Sequence, residues 1–530
     1  MGIYLIKSEI SNQPLTEFMK AKYDIVIIGS GLGGLSCAYI LSKFGFKVCV
    51  LEKHFQIGGN LQTFERKGCK FDTGMHYVGS LGPGEVLHKF FSYLDLLQVV
   101  ERKKLDEDAF DVVKINSRKY NYAMGYEKFT AGLISDFPEE AEAIKIYAAK
   151  IRELGENSDI YNLREVDLMD MTNIDYYGIS TSEFIASLTK NADLQAVLAA
   201  LNPLYAGEEA TTPLYVHALV NHFFITSAWR LTKGADQISN ALANSIKKMG
   251  GEVIERAEVV KFHFNDMQIS AVETKAGDIF EADSFISNMH PSLTMDFIPD
   301  DKIRKSYKNR MSNLRNTISS FTVYLVLKKN QIQNQNKNFY YYKTNKVWGV
   351  DNYGAGNWPQ GLMVYFTADK TNPEFAESAT IITYMKYDEV KQWENTNIGK
   401  RGKLYRDFKN RKKELLMNRV AEIFPELIDA VEVSYSASPL TYRDYTGTRE
   451  GSMYGIVRDS TRPIESYISP RTKIPNLFLT GQSVNLHGIT GVLCGALITC
   501  GYFVEINKII RDINDSYPAE FIASKNKLTN

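Results

Sequence analysis

The chain has 530 residues, of which 44% are hydrophobic and 23% charged, so it can bury a large core and is not intrinsically disordered. Its 62 Lys and Arg residues balance 62 Asp and Glu residues, and this zero net charge gives no reason to expect nucleic acid or an anionic membrane as a partner. The five cysteines are scattered without a C-x-x-C pair, which predicts a reducing compartment, no disulfide and no zinc framework.

An apolar run, a glycine-rich turn and a helix-like pattern form the first motif. Residues 23–28, YDIVII, are typical of a parallel strand buried on both faces, and residues 35–44 have the apolar spacing of a helix. Between them, Gly29, Gly31 and Gly34 satisfy G-x-G-x-x-G. These glycines make a tight turn, admit a pyrophosphate and allow close helix packing, with the pyrophosphate at the helix N-terminus. The motif therefore predicts a dinucleotide site.

The nature of the dinucleotide follows from the next segment. A second strand-like run at 46–51 ends at Glu52, which lies near the ~20-residue spacing expected for a carboxylate that binds a ribose hydroxyl. An acid here would repel a 2′-phosphate, which favours FAD or NAD over NADP. A further glycine turn at 58–64 is followed by FDTG at 71–74, and flavoproteins use such a turn along the ribityl chain of extended FAD. We therefore predict FAD.

Two long segments without cofactor-type motifs occupy the middle of the chain. The first, 96–230, is helix-rich, and the second, 293–435, is expected to supply strands and a long amphipathic helix. The predicted elements are helices at 141–154, 182–201, 211–229 and 401–423, strands at 321–327, 362–366 and 381–387, and aromatic loops at 339–342 and 348–358.

The C-terminal part of the chain contains a second apolar strand-like run that is followed by glycines. Residues 476–481, NLFLTG, are a short apolar run ending in glycine, and Gly488 and Gly491 then open an apolar helix that runs to about residue 504. The N-terminus of this helix at 488–492 could stabilise negative charge on a reduced flavin. Cys494, inside the helix, is interpreted as a small buried residue and not as a covalent flavin link, so FAD is expected to bind non-covalently.

Three runs lack Asp, Glu, Lys and Arg for long enough to raise the question of membrane spans: 25–42, 210–229 and 474–504. Glycines and polar residues interrupt the first and third runs, and the middle run contains two histidines and an asparagine. We interpret all three as buried protein of a cytoplasmic chain. The middle run leaves a peripheral membrane contact open, and the sequence leaves the oligomeric state open.

Several segments resemble the retinol saturase, carotenoid isomerase and phytoene desaturase family of FAD oxidoreductases. The longest is LEKHFQIGGNLQTFERKGCKFDTGMHYVGS at 51–80, in which FDTGMHY is most similar to the retinol saturase branch. The resemblance recurs at 250–253, 282–288, 438–441 and 454–455, and in LFLTGQSVNLHGITGVLCGAL at 477–497.

The resemblance implies an α/β fold with a doubly wound, glutathione reductase-like Rossmann domain that binds FAD and an α+β substrate domain. The FAD domain would be assembled from 22–95, 231–292 and 436–512. The substrate domain would be built from 96–230 and 293–435. Residues 1–21 and 513–530 are expected to be tails.

The motifs and the resemblance together define the expected cofactor site. The resemblance implies that the backbone at Val259 hydrogen-bonds the adenine. The predicted cofactor-binding residues are Gly29, Ser30, Gly31, Leu32, Gly33, Gly34, Glu52, Lys53, Gly59, Asn60, Thr73, Gly74, Val259, Asn288, Gly481, Gln482, Gly488, Gly491 and Val492.

Three residues are candidates for catalysis. His76 and Tyr77 follow the FDTG turn and would serve either as a proton donor to a reduced carbon or as structural hydrogen-bonding groups. His487 precedes the C-terminal helix and would have a catalytic, flavin-tuning or structural role. Arg230, Asp444, Tyr445 and Tyr454 are candidates for lining the substrate side. No Cys/His cluster has metal spacing, so no metal site is expected.

We therefore predict an FAD-dependent oxidoreductase that acts on C=C bonds of a hydrophobic polyene or isoprenoid, as a carotenoid or retinoid saturase, desaturase or isomerase. NAD(P)H is left open as an external reductant. One alternative is an amine oxidase-like flavoenzyme, which favours an aromatic cage and a lysine that reaches flavin N5 through water. A second alternative is a non-catalytic FAD-binding lipid carrier.

Overall fold

The computed structural model describes residues 22–167, 177–354 and 356–517. The strands are β1 (Tyr23–Ile28), β2 (Val48–Leu51), β3 (Thr63–Arg66), β4 (Cys69–Asp72), β5 (Val78–Gly79), β6 (Arg102–Lys104), β7 (Asp111–Ile115), β8 (Arg118–Tyr122), β9 (Ala228–Leu231), β10 (Glu252–Ile254), β11 (Val259–Asn265), β12 (Gln268–Thr274), β13 (Ile279–Ser287), β14 (Ser319–Leu327), β15 (Asn338–Tyr342), β16 (Gly361–Ala368), β17 (Ala376–Met385), β18 (Val431–Ala437) and β19 (Leu477–Leu479).

Helices alternate with these strands along the chain. They are α1 (Leu32–Lys43), α2 (Val86–Tyr93), α3 (Tyr126–Asp136), α4 (Ala141–Glu156), α5 (Thr181–Leu188), α6 (Ala192–Ala199), α7 (Leu214–Thr226), α8 (Asp236–Lys248), α9 (Pro291–Asp296), α10 (Lys305–Ser312), α11 (Gly402–Ala421), α12 (Pro425–Ala430), α13 (Pro439–Thr446), α14 (Pro463–Ser466), α15 (Gly488–Cys500) and α16 (Ile506–Asp515).

A largely parallel sheet contains the first strand of the chain at its centre. Its order is β10-β2-β1-β13-β12-β11, with β19 also paired to β13. The strands β10, β2, β1, β13 and β19 run parallel. Ile28 is in register with Leu51 on one side and with Ser287 on the other, and Ser287 is in register with Leu479. Four parallel strands therefore end along one line.

Both faces of β1 are covered, which explains why its sequence is almost continuously apolar. Ile25 and Ile27 belong to one core cluster with residues of α1, α8 and α15. Val26 and Ile28 belong to another cluster with the β11–β12 hairpin and α9. Gly34 lets α1 approach the strand, since a Cβ at this position would lie 2.1 Å from the carbonyl oxygen of Gly29. The predicted α/β fold is confirmed.

A second sheet combines strands from both middle segments in the order β18-β14-β17-β16-β15-β7-β8. One of its faces carries Tyr340, Tyr342 and Tyr384, which pack in one cluster with residues of α3 to α7. The opposite face packs on α11 and α12. A smaller sheet has the strand order β5-β9-β6.

Some predicted elements are wrong in detail. The single helix expected at 182–201 is two helices, α5 and α6, because the Asn191 side chain accepts hydrogen bonds from the amides of Asp193 and Leu194 and so caps a new helix. The segment 339–342, expected as an aromatic loop, lies in β15, where alternate tyrosines are buried. The predicted boundary at 436 falls inside β18, which pairs with β14.

The predicted tails are described only in part. Helix α16 extends past 513 and buries Ile513, so the C-terminal tail does not begin there. Residues 1–21 and 518–530 lie outside the described residues.

The uncharged run at 210–229 forms α7 and β9. Helix α7 contributes Val216, Leu219 and Phe223 to one core cluster and Leu214 and Ala218 to another. The prediction that this run is buried protein is confirmed. Within the described residues, no helix combines the length and the apolar character needed to cross a bilayer.

Candidate functional site

The carboxyl ends of the parallel strands open on an elongated cavity of about 450 Å³, called here the main cavity. Each of the four aligned strands contributes the residue that follows it: Gly29 after β1, Glu52 after β2, Asn288 after β13 and Thr480 after β19. The volume lies in the ~300–1,000 Å³ range of small-molecule and cofactor sites. Ligands of open α/β sheets bind at this edge.

Two helix N-termini face the main cavity. Leu32 and Gly33 at the start of α1 line it, and so do Ile489 and Thr490 at the start of α15. Neither helix has a side-chain hydrogen bond that caps its N-terminus. The first amides of a helix have no partner within it and carry partial positive charge, so both ends suit an anionic or electron-rich group.

The glycines of the first turn surround the side chain of Asn288. A Cβ on Gly31 would lie 2.8 Å from Asn288 Nδ2, and a Cβ on Gly33 would lie 2.8 Å from Asn288 Oδ1 and 2.9 Å from the backbone of Gly481. Asn288 Nδ2 donates to the Gly29 carbonyl at 3.3 Å. These glycines therefore keep the crevice between α1 and the strand ends narrow and polar.

Glu52 lines the main cavity beside the first glycine turn. Its Oε2 accepts hydrogen bonds from the Ser30 amide at 3.0 Å and the Ser30 hydroxyl at 2.6 Å, and its Oε1 accepts from the His54 amide at 2.8 Å. The carboxylate is therefore fixed beside the glycine turn, where a ribose hydroxyl could donate to its remaining lone pairs.

Most of the predicted cofactor-binding residues meet at the main cavity. Its lining includes all of them except Ser30, Gly34 and Thr73. Ser30 is buried on Glu52, and the Thr73 hydroxyl donates to the Gln62 carbonyl at 2.8 Å. These three residues shape the turns and do not face the cavity. A dinucleotide fits this donor set, with α1 for its pyrophosphate and Glu52 for a ribose.

The catalytic candidate His487 lies at the N-cap of α15 and lines the main cavity. Because a carbonyl only accepts, His487 Nε2 donates to the Leu204 carbonyl at 3.1 Å. Its ring lies 4.4 Å from the ring of Tyr454. Burial lowers its pKa to about 3, so it is neutral near pH 7. Its N–H is already used by the backbone, which leaves it suited to positioning and not to proton donation.

The candidate His76 lines the main cavity between the turn at Gly74 and the second sheet. Its Nδ1 is buried and has no hydrogen-bond partner among the described residues. Burial, together with the nearby Arg230 cation, lowers its pKa to about 4. His76 is therefore a neutral imidazole with an unused polar atom.

The candidate Tyr77 is joined to a buried carboxyl group that the sequence analysis did not identify. The Tyr77 hydroxyl donates to Asp111 Oδ2 at 2.7 Å and lies 2.9 Å from the Tyr340 hydroxyl. Asn338 Nδ2 donates to Asp111 Oδ1 at 2.8 Å, and the side-chain oxygen Asn338 Oδ1 accepts a hydrogen bond from Arg230. Burial raises the pKa of Asp111 to about 7, and the hydrogen bonds from Asn338 and Tyr77 oppose that rise.

The substrate-side candidates divide into two groups. Tyr445 and Tyr454 line the main cavity. Arg230 lies behind it, where it donates to the Phe366 carbonyl at 2.9 Å, and Asp444 is paired with Arg401. The apolar end of the cavity also includes residues that the sequence analysis did not single out, and these are Leu204, Val220, Phe223, Phe224 and Met453. Val220, Phe223 and Phe224 lie in the uncharged run at 210–229, and no sequence motif marked Leu204 or Met453.

Known proteins are similar to this chain along most of its length. A family model described as flavin containing amine oxidoreductase matches residues 32–499. All-trans-retinol 13,14-reductase of Danio rerio is 27% identical over 519 residues, which cover 90% of this chain and 85% of that protein. Chloroplastic prolycopene isomerase 1 of an Oncidium hybrid cultivar is 21% identical over 513 residues, with 91% and 85% covered.

Among solved structures, an oxidoreductase from Methanosarcina mazei has a TM-score of 0.62 at 16% identity, covering 89% of this chain and 98% of that one. This likeness concerns the fold alone.

The raised pKa of Asp111 predicts a pH dependence of stability. Between about pH 4 and about pH 7 the folded state keeps the Asp111 proton and the unfolded state releases it, so the free energy of unfolding falls as the pH rises. In Asp111→Asn this contribution, on the order of 4 kcal/mol, is absent, and the Asn amide can donate to the Tyr77 oxygen. Thermal unfolding midpoints at about pH 5 and about pH 8 measure the difference.

The difference between wild type and Asp111→Asn in the pH dependence of the unfolding midpoint reports on Asp111 alone. Asp72, whose pKa burial also raises to about 7, acts equally in wild type and variant, as do the buried histidines. The midpoint of Asp111→Asn should therefore fall less than that of wild type between the two pH values. Parallel curves would mean that Asp111 does not retain a proton.

Proposed function

The chain belongs to the flavin-containing amine oxidoreductase family, and from this premise we propose that it is an FAD-dependent oxidoreductase acting on C=C bonds of a hydrophobic polyene or isoprenoid. The observation that carries the proposal is a single cavity with two uncapped helix N-termini and an apolar, aromatic end. The retinol reductase and prolycopene isomerase names of two relatives support the substrate class.

The cofactor would bind with its pyrophosphate at α1, a ribose on Glu52 and its adenine beside Val259. Its flavin ring would lie toward α15, since the partial positive charge of that N-terminus favours electron density on the ring. This assignment includes a doubly wound FAD domain and a substrate domain built from the two middle segments. FAD is preferred to NAD because the main cavity continues past the pyrophosphate site to a second helix N-terminus.

A cytoplasmic location is part of the proposal. All five cysteines are buried and none is in a disulfide, which supports a reducing compartment.

The substrate would lie against the apolar end of the main cavity. Phe223 and Phe224 of α7 line this end together with Leu204 and Met453. An uncharged polyene gains from burial on such a surface, by roughly 25 cal/mol per Å² of apolar area removed from water.

When bound, FAD supplies or accepts a hydride at one carbon of the conjugated bond. In the reducing direction Tyr77 would give its proton to the other carbon and regain one from protonated Asp111. In the oxidising direction Tyr77 would take a proton from that carbon as its own proton passes to the Asp111 carboxylate. When Asp111 is protonated, its Oδ2–H donates to the Tyr77 oxygen and leaves the Tyr77 O–H free to face the main cavity. Asn338 and Tyr340 hold this pair in place. Saturation, desaturation and isomerisation all use these roles, so the direction and the external partner, NAD(P)H included, stay open.

The description of the family model, flavin containing amine oxidoreductase, supports the amine oxidase alternative. It favours a lysine near the flavin, but Lys53 is the one lysine among the described residues lining the main cavity, and it lies beside Glu52 at the nucleotide end. The rings of Tyr454 and His487 are 4.4 Å apart and tilted by 42°, and they do not form two parallel walls. The site therefore suits a polyene better than an amine.

Glu52 provides a test of the FAD site. Glu52→Gln removes the charge that would hold the ribose hydroxyls, and FAD should bind about tenfold more weakly. The matched control is Glu258→Gln, because Glu258 also lines the main cavity but its carboxylate lies 3.3 Å from Lys275 Nζ. Titration of the apoproteins with FAD, followed by flavin fluorescence, measures both affinities. Equal affinity of Glu52→Gln and wild type would contradict the ribose assignment.

Tyr77 provides a test of the proton path. Tyr77→Phe keeps the ring that lines the main cavity and removes the hydroxyl, so kcat for polyene turnover should fall ~100-fold or more with a smaller change in substrate affinity. The control Tyr340→Phe removes the neighbouring hydroxyl, which does not line the main cavity, and its kcat should fall less. Unchanged kcat in Tyr77→Phe would remove Tyr77 from the mechanism.

A further inference from the structure

A second, smaller cavity of about 40 Å³ adjoins the main cavity and is called here the side cavity. His76, Leu204, Met453 and Tyr454 line both cavities, so the two cavities meet at these residues. Most of the remaining lining residues belong to β15, β16 and β17 of the second sheet, and Pro203 and Val350 complete the lining. A bound water needs ~10–15 Å³, so the side cavity has room for an end group of roughly three heavy atoms.

Most hydroxyl groups that line the side cavity are already hydrogen-bonded within the protein. The Tyr342 hydroxyl donates to the Ala200 carbonyl, the Tyr454 hydroxyl to the Pro203 carbonyl at 3.1 Å, and the Thr383 hydroxyl to the Gly361 carbonyl at 2.7 Å. The Tyr340 hydroxyl lies 2.9 Å from that of Tyr77. These groups need no ligand.

Two lining groups lack such a partner. The Tyr384 hydroxyl and His76 Nδ1 are both buried, and neither makes a hydrogen bond among the described residues. Tyr384 is 5% exposed and lies in β17. Burial keeps its pKa well above the usual value, so the hydroxyl is both a donor and an acceptor. Buried polar groups in folded proteins are nearly always bonded, so an unbonded hydroxyl on a residue that lines a cavity is available to a ligand group that enters it.

The charge of the side cavity limits what that ligand group is. Its described lining residues include no Asp, Glu, Lys or Arg, and its histidine, His76, is neutral near pH 7. A carboxylate or an ammonium group would lose its hydration here without an opposite charge in the lining, which costs several kcal/mol. A hydroxyl or a carbonyl needs only one or two hydrogen bonds.

We propose that the side cavity binds an uncharged hydroxyl or carbonyl end of the polyene substrate and that the Tyr384 hydroxyl is its hydrogen-bond partner. The inference rests on the proposed function and names the substrate class of the same site. The chain of the polyene lies in the apolar end of the main cavity. Its polar end extends past His76 and Tyr454, where the two cavities meet, to reach Tyr384 in the side cavity.

The experiment uses the FAD-loaded full-length protein and three probes: all-trans-retinol, the hydrocarbon in which a methyl group replaces CH₂OH, and all-trans-retinoic acid. Dissociation constants are measured by quenching of protein fluorescence. Wild type should bind the alcohol ~5- to 10-fold more tightly than the hydrocarbon, and the acid more weakly than either. Tyr384→Phe should bind the alcohol and the hydrocarbon equally, with its affinity for the hydrocarbon unchanged.

Tyr342→Phe is the matched control. It removes a hydroxyl from the same sheet face, but one that donates to the Ala200 carbonyl. It should lower the thermal unfolding midpoint, because it leaves a buried carbonyl unbonded, and it should keep the preference for the alcohol. Tyr384→Phe should show the reverse pattern, with an unchanged or higher midpoint and no preference.

The outcomes separate the inference from the proposed function. If Tyr384→Phe keeps the preference for the alcohol, or if wild type has none while both neutral polyenes bind, the inference is wrong and the proposed function stands. If neither neutral polyene binds a protein that carries FAD, the proposed function fails and the inference fails with it.

Discussion

The in-register ending of four parallel strands is the constraint on which the site depends. Because Leu51, Ile28, Ser287 and Leu479 lie in one row, the residues after them must converge at one edge of the sheet. The segments that meet there are up to about 450 positions apart in sequence. The backbone pairing of these strands alone therefore determines where the cofactor crevice lies.

A second constraint comes from the way the two middle segments share one sheet. β7 and β8 belong to the first segment and pair with β15 of the second, so Asp111 and Asn338 become neighbours. This pairing places a carboxyl group, an arginine and several tyrosines behind the apolar end of the main cavity. Burial in this region keeps His76 neutral and moves the pKa of Asp111 toward neutrality, which suits proton transfer.

Sequence reasoning identified the parts of the site whose signal is local. The strand, turn and helix around Gly29 to Gly34 and the carboxylate at Glu52 have a characteristic spacing in the sequence. This spacing was enough to predict their position in an α/β fold. The roles of Asp111 and Tyr384 could not be predicted, because their environment arises from pairing between strands distant in sequence and neither residue lies in a motif. The break at Asn191 was missed because the apolar pattern continues across it, and only the capping geometry ends the helix.

The central claim is that the main cavity couples a bound flavin to a polyene C=C bond. The most direct measurement is anaerobic mixing of all-trans-retinol or a carotenoid with the FAD-loaded protein, once oxidised and once reduced, while the polyene absorption spectrum is followed. The account predicts that the spectrum changes in at least one flavin redox state and not with FAD-free protein. Polyene spectra that stay constant with both oxidised and reduced protein would contradict it.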